Sequence, residues 1–370
     1  MASAPSPTGF RRDINGLRAW AVGAVVLFHL GVPGVRGGFV GVDAFFVISG
    51  YLMTGILLKG LDAGHVSVGD FLLARARRIL PALLLLCLVL LLAGARVLLP
   101  LDYKQLASHS LATLGFFSNF KYWNEAGYFD ASSHEKWLLH SWSLSVEWQF
   151  YLLLPCLFWL LARLGLGRRA LWMSLAGLGG LSLAVSVGLS FRDPTAAYYG
   201  LHSRAWEMLL GGLLHLAPAW RAGQAGRRRT LEAAGFAMLA GSALFMDGRW
   251  PWPGLPALLP TLGTAAVMLA ARQDSLLTSP APLQYLGSRS YSLYLWHWPA
   301  CVLLSYLGLS HQPLPQLAAL AAMLVLAELS WRWAEHGAGR LLAARPARQA
   351  WARLAGSTAT PALLALGLWL

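Results

Sequence analysis

Ten stretches of this chain are apolar for long enough to cross roughly 30 Å of hydrocarbon. They fall near 14-31, 38-59, 79-99, 145-162, 170-190, 203-219, 230-246, 255-271, 286-308 and 313-334. A backbone inside lipid must satisfy its own hydrogen bonds, which helices of this length do. The expected fold class is therefore an all-α polytopic integral membrane protein with a ten-helix core. Composition agrees: 57% of the 370 residues are hydrophobic, 12% are charged and mean hydropathy is +0.54, values foreign to a soluble domain of this size. Cys87, Cys156 and Cys301 each lie in an apolar run, where they read as small buried hydrophobes rather than a disulfide framework. Met1 to Gly9 is polar, and the first apolar run follows Arg11 and Arg12 with no Ala-x-Ala cleavage site, so that run reads as a retained anchor.

A net charge of +13 invites a nucleic-acid partner, but its distribution argues against one. With a cytoplasmic N-terminus, nineteen Lys and Arg fall on inside segments and seven outside, a positive-inside bias that accounts for the basic balance. The count requires that the weakly apolar stretch from Leu106 to Phe120 not cross, so 100-144 becomes one exported segment, partly re-entrant or at the interface. Trp250, Pro251, Trp252 and Pro253 read as an outer turn with interfacial indoles. The chain then divides at about 340, with 341-370 a basic cytoplasmic tail ending in a ten-residue apolar stretch from Pro361. That stretch either lies at the surface or opens an eleventh helix.

Ionisable residues inside apolar runs are costly and point to function. Arg18 and His29 are eleven residues apart, three helical turns plus roughly 20°, so they share a face about 16 Å apart. Asp43 starts the second span as His29 ends the first. A carboxylate beside an imidazole fixes its tautomer and makes it a better base, although Asp43 can equally cap its own helix. Arg75, Arg77 and Arg78 stand before Pro81, placed between spans two and three, either as bidentate phosphate ligands or as snorkelling lipid contacts. Glu147 enters the fourth span with no cation nearby in sequence. Arg204 and Glu207 share a helix face and can pair with each other. His297, between Trp296 and Trp298, is a pocket wall or a hydrogen-bonded core histidine, and Ser141, Ser143 and Ser145 read as helix-start caps. No Walker loop, Gly-x-Ser-x-Gly elbow, His-Glu-x-x-His or Cys-x-x-Cys occurs, and no metal is expected.

Five motifs occur in order: Arg18-x10-His29; Gly38-Phe-Val-Gly-Val-Asp43-Ala-Phe-Phe-Val-Ile-Ser-Gly50-Tyr; Arg75-x-x-Arg78-x-x-Pro81; His140-Ser-Trp-Ser-Leu-Ser-Val-Glu147; and Ser292-Leu-Tyr-Leu-Trp-His297-Trp-Pro299. In this order they resemble the acyltransferase family 3 membrane O-acyltransferases. The resemblance implies a membrane acyltransferase domain over 1-340, cytoplasmic acyl-CoA, most often acetyl-CoA, as donor, and a carbohydrate or glycolipid hydroxyl as acceptor. It also implies a bacterial inner-membrane location. It assigns catalysis to His29 and donor binding to Arg18, Arg75 and Arg78, to which the sequence adds Arg77. Asp43 and Glu147 are expected to orient His29, and Trp142, Arg204, Glu207 and His297 to contact acceptor. Trp148 after Glu147, and His336-Gly337 after Glu335, depart from the family pattern. Some members continue into an exported SGNH-type domain; none lies in these residues. The rival class is a transporter, whose substrate path also needs buried charges.

Overall fold

The computed structural model describes residues 10–126, 135–217, 225–343 and 346–369. Helices stand at all ten expected positions, and no strand occurs among the described residues. The chain runs through α1 (Arg12–His29), a 3-10 turn (Gly38–Val40), α2 (Gly41–Asp62), α3 (Val68–Val97), α4 (Pro100–Leu114), α5 (Ser118–Glu125), α6 (Ser141–Arg163) and α7 (Arg168–Arg192). It continues through α8 (Pro194–Tyr199), α9 (Leu201–Leu216), α10 (Ala225–Phe245), α11 (Leu258–Ala270), α12 (Ala281–Ser288), α13 (Ser290–Tyr306) and α14 (Pro313–Ser330). Wide π-type turns (Trp331–Ala338) lead from α14 into α15 (Gly339–Ala343), and α16 (Ala347–Trp369) follows. Among the described residues, five helical stretches are long and apolar enough to cross a membrane: Gly38–Asp62, Val68–Val97, Ser141–Arg163, Arg168–Arg192 and Pro313–Leu342. Below, the near face is where α1 begins and the far face is where it ends.

Burial separates the centre from the rim. The apolar window of α2 is 78% buried, whereas those of α7 and the 313–342 stretch are 22% and 17% buried, so α2 is the axis and the others form the outer, lipid-facing ring. Contact between α2 and α9 depends on two glycines. A Cβ at Gly50 would lie 1.8 Å from the Met208 carbonyl oxygen, and one at Gly211 would lie 2.0 Å from that of Val47. The backbones touch there, as small residues allow between membrane helices. Two turns earlier on each helix sit Asp43 and Arg204, which this contact brings together.

Two expectations change, the start of the third helix and the form of the tail, and the 100–144 segment gains its detail. The third helix starts at Val68, where the Ser67 hydroxyl accepts the Asp70 N–H at 3.2 Å, so the three arginines ride on the helix instead of in a loop and Pro81 lies inside it. The 100–144 segment contains α4, about 22 Å long at 1.5 Å per residue and too short to span, folded back through α5 against α6. The tail forms one 23-residue helix rather than ten apolar residues: Ala350, Leu354, Pro361 and Ala365 recur on one face and bury it against α3 and α4. Cys87 and Cys301 are buried, but Cys156 faces outward.

Candidate active site

The regular spacing of α1 and α3 builds the first of two cavities. Arg75 and Arg78, three apart, share one face of α3 and line it together with Arg18 of α1, Glu147 and Tyr151 of α6, Ser49 of α2 and Tyr291 of α13. The cavity encloses ≈110 Å³. Arg77, two residues from Arg75, points elsewhere and is not part of the lining, for the same helical reason that unites its neighbours. A hydroxyl relay fixes the carboxylate: Ser49 Oγ donates to Tyr151 Oη at 2.5 Å, and Tyr151 Oη donates to Glu147 Oε1 at 2.6 Å. The π-type turns place the carboxylate of Glu335 on the Ser292 hydroxyl, within electrostatic reach of Arg18 and Arg78. Three guanidiniums against two carboxylates leave a positive excess, the balance an anionic ligand requires. Glu147 thus belongs with the arginines, not beside His29 as expected.

His29 lines a second, larger cavity of ≈1280 Å³ toward the far face. Its walls are aromatic: Phe28, Phe39, Trp142, Tyr198, Tyr199, Trp250, Trp252 and Trp298. Trp250, Pro251 and Trp252 of the outer turn also wall this cavity; Trp252 is buried and meets Phe39 edge-on at 4.8 Å, while Trp250 stays exposed. Trp298 is held by its indole N–H on the Lys136 carbonyl (2.7 Å) and meets the His29 ring edge-on at 4.8 Å.

One partner of His29 is His297, whose Nε2 lies 3.2 Å from His29 Nδ1. His297 Nδ1 lies 2.5 Å from the Tyr294 carbonyl oxygen. A carbonyl only accepts, so His297 carries its proton on Nδ1; in a neutral imidazole Nε2 then accepts, here from His29 Nδ1–H. Roles assigned through the network in this way leave the basic lone pair of His29 on Nε2. His297 is fully buried and lines neither cavity, so the structure makes it a support for His29 rather than an acceptor contact. His140, absent from the expected site, is buried in the wall of the large cavity against Tyr294 and His297, and neither of its ring nitrogens has a hydrogen-bond partner. The sequence signals for it were its place before Ser141 at the head of α6 and its position at the start of the fourth motif.

Asp43 is not the orienting carboxylate. Its Oδ1 accepts from Arg204 Nη1 at 2.8 Å, and the same nitrogen donates to Glu207 Oε1 at 2.8 Å. All three side chains are at most 1% exposed and line neither cavity. The Arg204 guanidinium stacks among Phe46, Trp142 and Tyr198, with 5.4 Å, 5.4 Å and 5.8 Å to the ring centroids. Arg204 and Glu207 therefore brace the wall from behind, and Trp142 alone of the expected acceptor contacts faces the large cavity. On the far-face hairpin, Glu125 accepts from His109 at 2.9 Å and pairs with Lys121 at 3.1 Å. Partial burial alone would raise its carboxyl, but the hydrogen bond and charge of His109, with those of Lys121, bring it down to about 2.

Fold and site together define a multi-pass membrane protein with a cationic cavity and a histidine-bearing aromatic cavity. The chain belongs to the acyltransferase family, whose acyltransferase domain matches residues 11–331. It is 33% identical over 342 residues to the peptidoglycan O-acetyltransferase OatA of Listeria monocytogenes, covering 87% of this chain and 55% of that protein. It is 30% identical over 341 residues to the O-acetyltransferase OatA of Staphylococcus aureus, covering 87% and 56%. The chain thus spans about half the length of these relatives. No solved structure matches it.

Proposed function

We propose that this protein transfers an acyl group, acetyl in the first instance, from acyl-CoA to a hydroxyl of an envelope carbohydrate, with His29 as the base. One observation carries the reading: the guanidiniums line one cavity, His29 lines the other, and the two share wall residues. Family membership supports acyl transfer, the O-acetyltransferase activity of the two relatives supports acetyl, and the peptidoglycan substrate of the Listeria protein supports an envelope glycan. Nineteen basic residues on the inside segments favour a cytoplasmic near face in the bacterial inner membrane, so the donor arrives from the cytoplasm and the acceptor from outside.

The exposed Arg78 and the half-buried Arg75 of α3 take the donor phosphates, with the half-buried Arg18 of α1 on the same lining. The small cavity suits the acyl end of the donor, not its nucleotide. In the large cavity, aromatic faces hold the sugar. His29 Nε2 removes the proton from the acceptor hydroxyl as its oxygen bonds to the acyl carbon. The carbon–sulfur bond breaks, and the proton passes from His29 to the thiolate, giving ester and free thiol. His297 keeps His29 in the required tautomer throughout.

The test is transfer of acyl label from acetyl-CoA by membranes holding the wild type or His29→Ala. Label in the envelope glycan fraction that disappears in the variant is the expected result. Equal labelling by both removes His29 from the mechanism, and wild-type membranes that neither transfer from nor bind CoA overturn the proposal.

A further inference from the structure

Among the described residues, only Val42 and Tyr294 line both cavities. These two side chains form the wall where the two cavities meet. We infer that Val42 sets which acyl groups are transferred; the inference rests on the acyl-CoA reading above.

The two walls differ in freedom. Tyr294 is tied at both ends: its hydroxyl donates to the His140 carbonyl at 2.9 Å and lies 2.7 Å from Ser143 Oγ, while its own carbonyl holds His297. Its ring cannot be moved without disturbing the support of His29. Val42 has no polar duty and stands in the first turn of α2. That turn cannot back away, because a Cβ at Gly41 would already lie 2.2 Å from the Ala21 carbonyl oxygen of α1. With backbone and facing ring both fixed, the width of the opening depends on the side chain at position 42. Around it on the donor side stand Phe45, Phe46 and Leu144, which give an acyl tail apolar contact without more room.

In the transfer, the acceptor oxygen reaches the acyl carbon at this wall, the carbon–sulfur bond breaks, and the thiolate leaves toward the arginines with the proton from His29. An acetyl group presents only one methyl beyond that carbon. Val42→Ala removes two carbons from the wall, room for the two further carbons of butyryl. Val42→Phe fills the opening.

The experiment compares label transfer from acetyl-CoA and butyryl-CoA to the envelope glycan fraction, together with CoA binding, in membranes carrying wild type, Val42→Ala or Val42→Phe. Pockets that discriminate by a methylene do so on the order of tenfold or more. Val42→Ala should raise the butyryl-to-acetyl transfer ratio by about that factor, and Val42→Phe should lose transfer while still binding CoA. An unchanged ratio in Val42→Ala, or wild-type transfer by Val42→Phe, overturns the inference and leaves the function intact. If Val42→Phe also loses CoA binding it has misfolded, and the Val42→Ala ratio decides. A wild type that transfers from neither donor overturns the function and this inference with it.

Discussion

The two cavities are built differently. The cationic one is made from regular helix faces, with Arg75 and Arg78 three residues apart on α3, Arg18 on α1 and a carboxylate inside α6. The aromatic one adds to one face of α13 a set of helix ends and connections: the end of α1, the head of α6, α8, and the turn from Gly248 to Trp252. A face of one helix positions a few groups closely with respect to one another, whereas joined ends enclose space. The first suits a ligand gripped by its charges, and the second a bulky, weakly charged one that lies against rings.

The sharpest way to break this contrast is to remove the base. His29→Ala should lower transfer on the order of 10²–10⁴-fold while CoA binding stays at the wild-type level, measured by label transfer and ligand retention. Next comes the brace behind the aromatic wall. Arg204→Met strands two carboxylates in a dry site, and unfolding in detergent should show a loss of about 3–5 kcal/mol; equal stability would mean that the triad does not hold the wall. Smaller and more specific is His297→Phe, which removes the acceptor for His29 Nδ1–H. A misaligned base costs up to about 10²-fold in kcat, and His297→Gln, which keeps an acceptor, should recover part of the loss where a purely structural residue would not. In the cationic cavity, Arg78→Ala should raise the KM for donor about tenfold with kcat preserved, the lower end expected for an exposed charged contact.

The smallest effect concerns the far-face hairpin. The Glu125 carboxyl is depressed to about 2, against about 4.3 in an unfolded chain. Its contribution to stability is therefore complete above the unfolded value and disappears as pH falls through about 2. Thermal midpoints of wild type and Glu125→Gln should differ modestly at pH 7 and converge across that window.

Legibility in the sequence follows the same division. Helix positions, the arginine pair and the Arg18–His29 spacing were readable because each depends on periodicity along one helix, whereas among the described residues five of the ten expected spans reach the length and apolarity to cross. Arg77 was misjudged only because the start of α3 was placed too late; on a helix, its divergence from Arg75 and Arg78 follows at once. The partner of His29 was not readable. Asp43 precedes Gly50 by two turns as Arg204 precedes Gly211, yet nothing in either segment alone says that the two helices touch at those glycines. His297 is 268 residues from His29, and only the packing of α13 on α1 joins them. His140 and the Trp250 turn were quoted for their local character, whereas their significance is the space they enclose with other segments.

The wall shared by the two cavities has an electrical consequence. Polar cavities that approach one another through a bilayer thin its insulation, and at their meeting place stand a Val42 side chain and a Tyr294 phenol, 9% and 7% exposed. Carrying one elementary charge across such a barrier costs about 2.3 kcal/mol per 100 mV. The proposed turnover avoids that cost. Thioester, thiol, alcohol and ester are uncharged where they react, and for each acyl group that moves one way the alcohol's proton moves the other and leaves as part of the thiol. The exchange is electroneutral, so the membrane voltage neither drives nor opposes it.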